Sequence, residues 1–264
     1  MNNRLVIVTG ASGALGHCYV QHFLSEENTT CVAMARSRLE TQASYYQINL
    51  LNREDSAQII YGLDFTLFSD VILIHAVGQF KYEGSDGIPD VDFDQDGIDD
   101  EVLASNYDTF VNIAAPIVEK ITQQHQKGRE MTLALCAFGS ITDKYKLPFW
   151  QSYTHSKNVL RRFIQDTIKS SPLEGRVRGR FINVSTTNTG NENKLRPFAT
   201  EIDRKFWLQP EKIVSESMQP IECLHPLWQE IDMYEAIPGF DPKDYFCNHE
   251  KIKAKWERQM GTIN

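Results

Sequence analysis

The segment Thr9-Gly10-Ala11-Ser12-Gly13-Ala14-Leu15-Gly16 constrains this chain more than any other. It follows the β-branched, apolar run Leu5-Val6-Ile7-Val8 and leads into a helical pattern over Ala14–Ser25. A strand that turns through three glycines straight into a helix does a specific physical job. Gly10 permits the tight turn, Gly13 lets backbone approach a pyrophosphate, and Gly16 lets the helix pack on the sheet. The helix start supplies free N–H groups and a positive dipole end for phosphates. Ser12, Ala14 and Leu15 belong to the same phosphate-facing turn. The turn is therefore expected to hold a dinucleotide.

Further apolar runs alternate with helical patterns along the chain. Strands are expected at Thr30–Ala35, Tyr45–Ile48, Asp70–His75, Met131–Ala137 and Val177–Val184. Helices are expected at 53–61, Asn106–His125 and Gln151–Lys169. Strands alternating with helices imply a parallel sheet covered on both faces. The expected fold class is α/β: a Rossmann-type, doubly wound parallel sheet in three α/β/α layers. Ligands in such sheets sit beyond the carboxyl ends of the strands. At 264 residues the chain suits one domain over 1–264, with 223–264 as a C-terminal extension near the substrate pocket.

The net charge of −8 argues against nucleic acid as a partner. No apolar run approaches the roughly 20 residues of a membrane span. Five scattered cysteines without CxxC spacing read as reduced thiols, and the whole reads as a cytoplasmic protein. The histidines show no metal-ligand spacing, so no metal is assigned.

After the second strand the chain reads Ala35-Arg36-Ser37-Arg38. A carboxylate there would accept a ribose 2′-hydroxyl. Arginines suit a 2′-phosphate by charge and fork geometry, so NADP is favoured over NAD, with Arg36 and Ser37 as contacts.

Tyr153 and Lys157 are spaced i, i+4 on one helix face. A phenol is a weak base near neutral pH, and a nearby ammonium is expected to lower its pKa. The tyrosine could then exchange a proton with a substrate oxygen while hydride moves. Ser140, at the end of the fifth strand, could hydrogen-bond the same oxygen.

The glycine turn, Ser140, Tyr153 and Lys157, in this order and spacing, resemble the short-chain dehydrogenase/reductase family over Leu5–Glu222. The resemblance implies an NADP-dependent oxidoreductase interconverting a carbonyl and an alcohol, as a homodimer or homotetramer. It implies Tyr153 as general acid or base and Lys157 as its partner, bonding the nicotinamide ribose. Asn112, in Val111-Asn112-Ile113-Ala114-Ala115-Pro116, looks like the family's catalytic asparagine, with Asn106 the lesser candidate. Asn49 and Leu50 would flank the adenine, and Ala76 and Gly78 the ribose. Three departures stand out. The TGxxGxxG spacing is nearer to the family's extended and atypical members. His75-Ala76-Val77-Gly78 replaces Asn-Asn-Ala-Gly, which should weaken support of the sheet. Ser185-Thr186-Thr187-Asn188-Thr189 replaces the Pro-Gly pair near the nicotinamide, with Thr186 and Thr189 as its substitutes. The family's closing strand is not evident near the C-terminus.

Asp90–Glu101 mimics a DxDxDG calcium loop, but Leu103 stands where such a loop needs a bidentate glutamate. A solvated acidic insertion beside the active-site mouth is the preferred reading, able to gate entry or favour a cationic substrate. The aromatic tail, with Trp228, Tyr234, Phe240, Tyr245, Phe246 and Trp256, reads as packing or as a substrate lid. Two other functions remain open at this level. One is a nucleotide-sugar epimerase or dehydratase with tightly held NAD, and the other is a non-catalytic NADP-binding regulator.

Overall fold

The apolar runs become parallel strands for a simple reason: each residue can bury its side chain on one of two covered faces. In the computed structural model, which describes residues 3–83, 97–145, 147–173, 175–235 and 241–261, five such strands form the centre. They are β1 (Arg4–Thr9), β2 (Thr29–Ala35), β4 (Asp70–His75), β5 (Thr132–Ser140) and β6 (Val177–Val184). With β3 (Ser44–Gln47) and β7 (Trp228–Met233) they make one parallel sheet in the order β3-β2-β1-β4-β5-β6-β7. Strand order reverses between β1 and β4, which opens a crevice there.

Alternation along each strand sorts the core into two layers. Leu5, Ile7, Leu73, Leu133 and Leu135 face α2 (Arg53–Gly62), α4 (Thr109–Gln126) and α6 (Gln151–Ser170). Val6, Val8, Ile72, Ile74 and Cys136 face α1 (Ala14–Leu24) and α9 (Pro210–Glu222). This is the expected three-layer, doubly wound arrangement. Among the described residues, no helix is long and apolar enough to cross a membrane.

Two features differ from the sequence reading. The closing strand exists: β7 pairs in parallel with β6. It is an edge strand carrying Gln229, Glu230 and Asp232, so it lacks the apolar run that marks a buried strand. The long helix also begins earlier and irregularly. α3 (Asp100–Leu103) runs into a π-helical turn, Ala104–Asp108, before α4. Asp90–Asp96 of the calcium-like segment, and Phe240, lie outside the described residues. The segment's described flanks are held at the start of α6, where Asp99 N donates to Ser152 Oγ at 2.8 Å and Ser152 N to Glu83 at 2.9 Å.

β6 carries two buried arginines, which an apolar strand would normally exclude. They end α9. Arg178 Nε donates to the Ile221 carbonyl at 3.1 Å, and its guanidinium reaches Asp70 at 3.1 Å. Arg180 Nε donates to the Pro220 carbonyl and Nη2 to that of Cys223, both at 2.6 Å. A helix C-terminus leaves carbonyls unpaired and partly negative, so fixed guanidinium groups serve it well. Arg180→Met should lower the stability of the chain by about 3 kcal/mol, because it orphans these buried carbonyls. Urea denaturation reads this directly, and an unchanged midpoint would refute it.

Candidate active site

The site grows from the carboxyl end of β5. Ser140 is the last residue of that strand and the N-cap of α5 (Ile141–Lys144). Its Oγ accepts from Thr142 N at 3.2 Å, and its own N–H donates to Asp143 at 2.9 Å. This capping box fixes the hydroxyl's position. Asp143 is itself held by the Arg161 guanidinium. Tyr153, Lys157 and Arg161 follow at four-residue intervals on one face of α6. One helix stripe therefore presents the phenol, the ammonium and the clamp on the Ser140 turn. Ser140 is within hydrogen-bonding reach of the Tyr153 hydroxyl. Lys157 Nζ lies 5.1 Å from the centre of the Tyr153 ring.

The electrostatics differ from the sequence expectation. The Tyr153 pKa is pushed up, not down, chiefly by burial and then by the Asp143 and Glu192 carboxylates, with Ser140 pulling the other way. Lys157 is 2 % exposed, and burial lowers its pKa to about 8 against an upward pull from Asp143. The phenol thus stands as a held acid beside a cation that makes no hydrogen bond among the described residues. Such an ammonium needs partners from whatever fills the cleft.

The structure does not bring Asn112 to this group. Its amide donates to the Leu50 carbonyl at 2.9 Å, tying α4 to the chain after β3. Asn106, fully buried within the π turn, takes the place instead. Its Nδ2 donates to the carbonyls of Gln79 at 2.7 Å and Val102 at 2.8 Å, leaving Oδ1 buried without a partner among the described residues. A methyl group placed on Gly78 would lie 3.2 Å from that Oδ1 and 3.6 Å from Lys157 Nζ, so asparagine, glycine and lysine meet at one point. A π turn displaces side chains relative to regular helix spacing, and it is this turn, not the Val111–Pro116 stretch that carries the resemblance, that brings an asparagine beside Gly78.

His75 does not weaken the sheet as expected. Its Nδ1 lies 2.8 Å from Thr9 Oγ1 and its Nε2 3.3 Å from Thr109 Oγ1, bridging β1 to the start of α4. Burial, then the Lys157 charge, lower its pKa to about 3. It is a neutral strut.

The cofactor residues divide into two groups. Gly13, Ala14, Leu15, Ala76, Gly78 and Thr186 line the cleft together with Thr189 and the catalytic group. Gly10 and Gly16 act through the backbone. Gly10 has φ +70°, and a Cβ on it would meet the Ala76 carbonyl oxygen at 2.5 Å. A Cβ on Gly16 would meet the Gly10 oxygen at 2.3 Å. Ser12 is exposed on the turn. Arg36, Ser37, Asn49 and Leu50 lie outside the cleft lining, beyond β2 and β3. The Ser37 carbonyl accepts from Tyr45 Oη at 2.6 Å and the Arg36 carbonyl from Gln47 Nε2 at 3.0 Å. The Arg36 guanidinium is exposed and has no ion pair among the described residues. Asn49 Oδ1 accepts from Leu51 N at 3.2 Å. Thr186 and Thr189 have other bonds too. Thr186 Oγ1 accepts from Arg196 Nη1 at 3.1 Å, and Thr189 caps α7 (Gly190–Leu195).

The far wall of the cleft was not foreseen. α7 presents Glu192, paired with Arg196 at 2.9 Å. The C-terminal helix α11 (His249–Met260) brings Trp256, over which the Arg196 guanidinium stacks at 4.8 Å. Trp150, Trp256 and Phe149 pack edge-on to one another beside Tyr153, so the aromatic tail both packs and faces the site. The ExxxR spacing of Glu192 and Arg196 was the one available signal. Among the described residues, no cluster could hold a metal ion.

No family model and no curated protein sequence matches the chain. Solved structures do match in fold. Aldohexose dehydrogenase of Thermoplasma acidophilum superposes with a TM-score of 0.68 at 12% identity, covering 88% of this chain and 93% of that one. A short-chain dehydrogenase of Burkholderia cenocepacia J2315 in complex with NADP gives 0.65 at 16%, covering 97% and 98%. A 4-hydroxyisoleucine dehydrogenase complexed with NADH gives 0.63 at 19%, covering 87% and 97%. The chain thus has the fold of short-chain dehydrogenases, as its motifs imply.

Two predictions follow from the geometry. Asn106→Ala should cost activity on the order of a hundredfold in kcat, as loss of a positioned polar group in a site does, whereas Asn112→Ala should change stability alone. Equal kcat values for the two variants would reverse the assignment. The second concerns Lys157, whose pKa of about 8 in the folded chain lies below the ordinary 10.5. Below pH 8 the folded chain bears the cost of a buried ammonium. Between about 8 and 10.5 the unfolded chain holds a proton that the folded chain has released, so stability rises with pH there. Lys157→Met should therefore stabilise the cofactor-free chain at pH 7 by on the order of 3 kcal/mol. That gain should fade as pH rises through this window. Thermal melts across pH provide the measurement, and a pH-independent difference would contradict it.

Proposed function

We propose that this chain is an NADP(H)-dependent oxidoreductase that interconverts a carbonyl and an alcohol. One observation carries the reading: Ser140, Tyr153 and Lys157 line a cleft that also opens on the glycine turn, with Asn106 Oδ1 buried beside Gly78 at its edge. A nicotinamide cofactor fits the residues present. Gly10 and Gly16 leave no room for side chains where the turn closes on itself, Gly13 borders the cleft, and Lys157 and Asn106 Oδ1 have no hydrogen-bond partner among the described residues. The turn and the start of α1 would hold the pyrophosphate. Lys157 would bond the ribose, and Thr186 and Thr189 would border the nicotinamide. Arg36, exposed beyond β2, would meet a 2′-phosphate, which favours NADP over NAD. The cofactor, when bound, supplies or accepts the hydride.

The chain's own groups handle the oxygen. Ser140 Oγ and Tyr153 Oη would both donate hydrogen bonds to a substrate carbonyl, polarising it. Tyr153 then passes its proton to that oxygen, giving the alcohol. The Lys157 ammonium stabilises the phenolate left behind, and Asn106 Oδ1 offers the ammonium an acceptor. The raised Tyr153 pKa suits this direction, since a retained proton is one available to give. Burial first, and then the Asp143 and Glu192 carboxylates, keep that proton on the phenol.

Tyr153→Phe should abolish NADPH-dependent reduction across a panel of carbonyl compounds, with a loss of about a thousandfold or more, while NADPH binding is retained. Loss of cofactor binding instead would assign Tyr153 a different role. Arg36→Ala should weaken NADPH and leave NADH unchanged, reading out as a shift in the ratio of their affinities. A wild-type preference for NADH would overturn the NADP assignment.

A further inference from the structure

The wall opposite the catalytic group is charged, and both charges are buried. Glu192 is 8 % exposed and Arg196 5 % exposed. A solvated ion pair on α7 would need no such placement, and burying two ions costs several kcal/mol unless both are well satisfied. They are only half satisfied. Arg196 uses Nε toward Glu192 Oε1 at 2.9 Å and Nη1 toward Thr186 Oγ1 at 3.1 Å. The two atoms that face each other, Arg196 Nε and Glu192 Oε1, are buried and make no hydrogen bond among the described residues despite their 2.9 Å separation. Both side chains line the cleft that holds Ser140, Tyr153 and Lys157. Arg196 also borders a second cavity, walled by Phe206, Trp207 and Tyr245, so the guanidinium stands between two open spaces. Trp256 fixes its plane by stacking at 4.8 Å.

The two groups have opposite sign and adjoin at one wall of the cleft. A carboxylate alone on Arg196 would bring a second anion against Glu192. An ammonium alone on Glu192 would bring a second cation against Arg196. A neutral molecule would leave both charged groups desolvated and short of partners. A zwitterion satisfies both and adds no net charge to the buried site. Resting on the oxidoreductase reading above, we propose that the substrate is a hydroxy- or keto-substituted amino acid, its carboxylate on Arg196 and its ammonium on Glu192. Its oxygen-bearing carbon then faces Ser140 and Tyr153.

Four small alcohols separate the possibilities, because they share a 2-hydroxypropyl unit: L-threonine, 3-hydroxybutyrate, 1-amino-2-propanol and 2-butanol. Their binding to the NADP-loaded chain is measured by calorimetry, and turnover is followed separately. L-threonine should bind roughly ten- to hundredfold more tightly than each of the others, as expected when a built polar site loses a partner. Arg196→Met and Glu192→Gln should each erase that advantage in chains that still bind NADP. The wild-type comparison stands even if a variant fails to fold. Equal binding of 3-hydroxybutyrate or 2-butanol overturns the proposal, and so does binding of none of the four. Selective threonine binding without turnover keeps the zwitterion site and overturns the hydride reading. Turnover of 2-butanol as efficient as that of threonine does the reverse.

Discussion

The ion pair between Asp143 and Arg161 is the joint on which the catalytic geometry rests. It joins the turn after β5 to the third residue, after Tyr153 and Lys157, along one stripe of α6. Without it, Ser140 and Tyr153 would be carried by two elements free to slide past each other. The joint is part of a larger net. Arg161 also reaches Glu230 at 3.2 Å on β7, and Asn183 on β6 donates to Asp232 at 2.9 Å. Lys144 of α5 pairs with Asp232 as well. Charged side chains on β7 thus do for the edge of the sheet what apolar packing does at its centre. They also explain why that strand reads as polar. Buried pairs of this kind contribute little net stability, but losing one partner is costly, so they enforce one arrangement more than they strengthen the fold.

The same carboxylate sets the chemistry. Asp143 raises the affinity of both Tyr153 and Lys157 for their protons, and burial acts in opposite senses on the two. Burial favours the neutral phenol and disfavours the ammonium. The site therefore holds an acid with a reluctant proton next to a cation that is poorly solvated. Each discomfort would be relieved under the proposed chemistry: as the phenol gave up its proton, the ammonium would gain the counter-charge it lacks. His75 fits this picture by staying neutral, since a second cation beside Lys157 would add repulsion without a partner.

What could be read from sequence was what is local. The glycine turn, the Tyr–Lys spacing and the apolar strand runs each depend on neighbours within a few residues, and the structure places them as a parallel, doubly wound sheet with its crevice at the β1–β4 switch. The likeness of Val111–Pro116 to the family's helix points to Asn112, whereas the structure sets Asn106 beside Gly78 through a π turn at Ala104–Asp108 that has no signature in the sequence. β7 escaped notice because its partners are charges on other elements rather than a buried apolar face. Glu192 and Arg196 stood in the chain at an ordinary helix spacing. Only the tertiary approach of α11, with Trp256, turns that surface-like pair into the wall of a cleft.

That wall and the catalytic floor obey opposite design pressures. At the floor, the glycines and β5 leave Ser140, Tyr153 and Lys157 almost no freedom, which suits chemistry common to many substrates. The wall is made from short helices after β6 and from the chain's last helix, elements the sheet does not dictate. Thr186 couples the two: its hydroxyl receives Arg196 and its carbonyl receives Leu208 N at 2.8 Å, so the segment that replaces Pro-Gly is anchored by the specificity wall itself. A change in the wall charge would therefore be felt in the Thr186 segment as well as in the cleft. Wall and floor are mechanically linked in this chain, through one threonine.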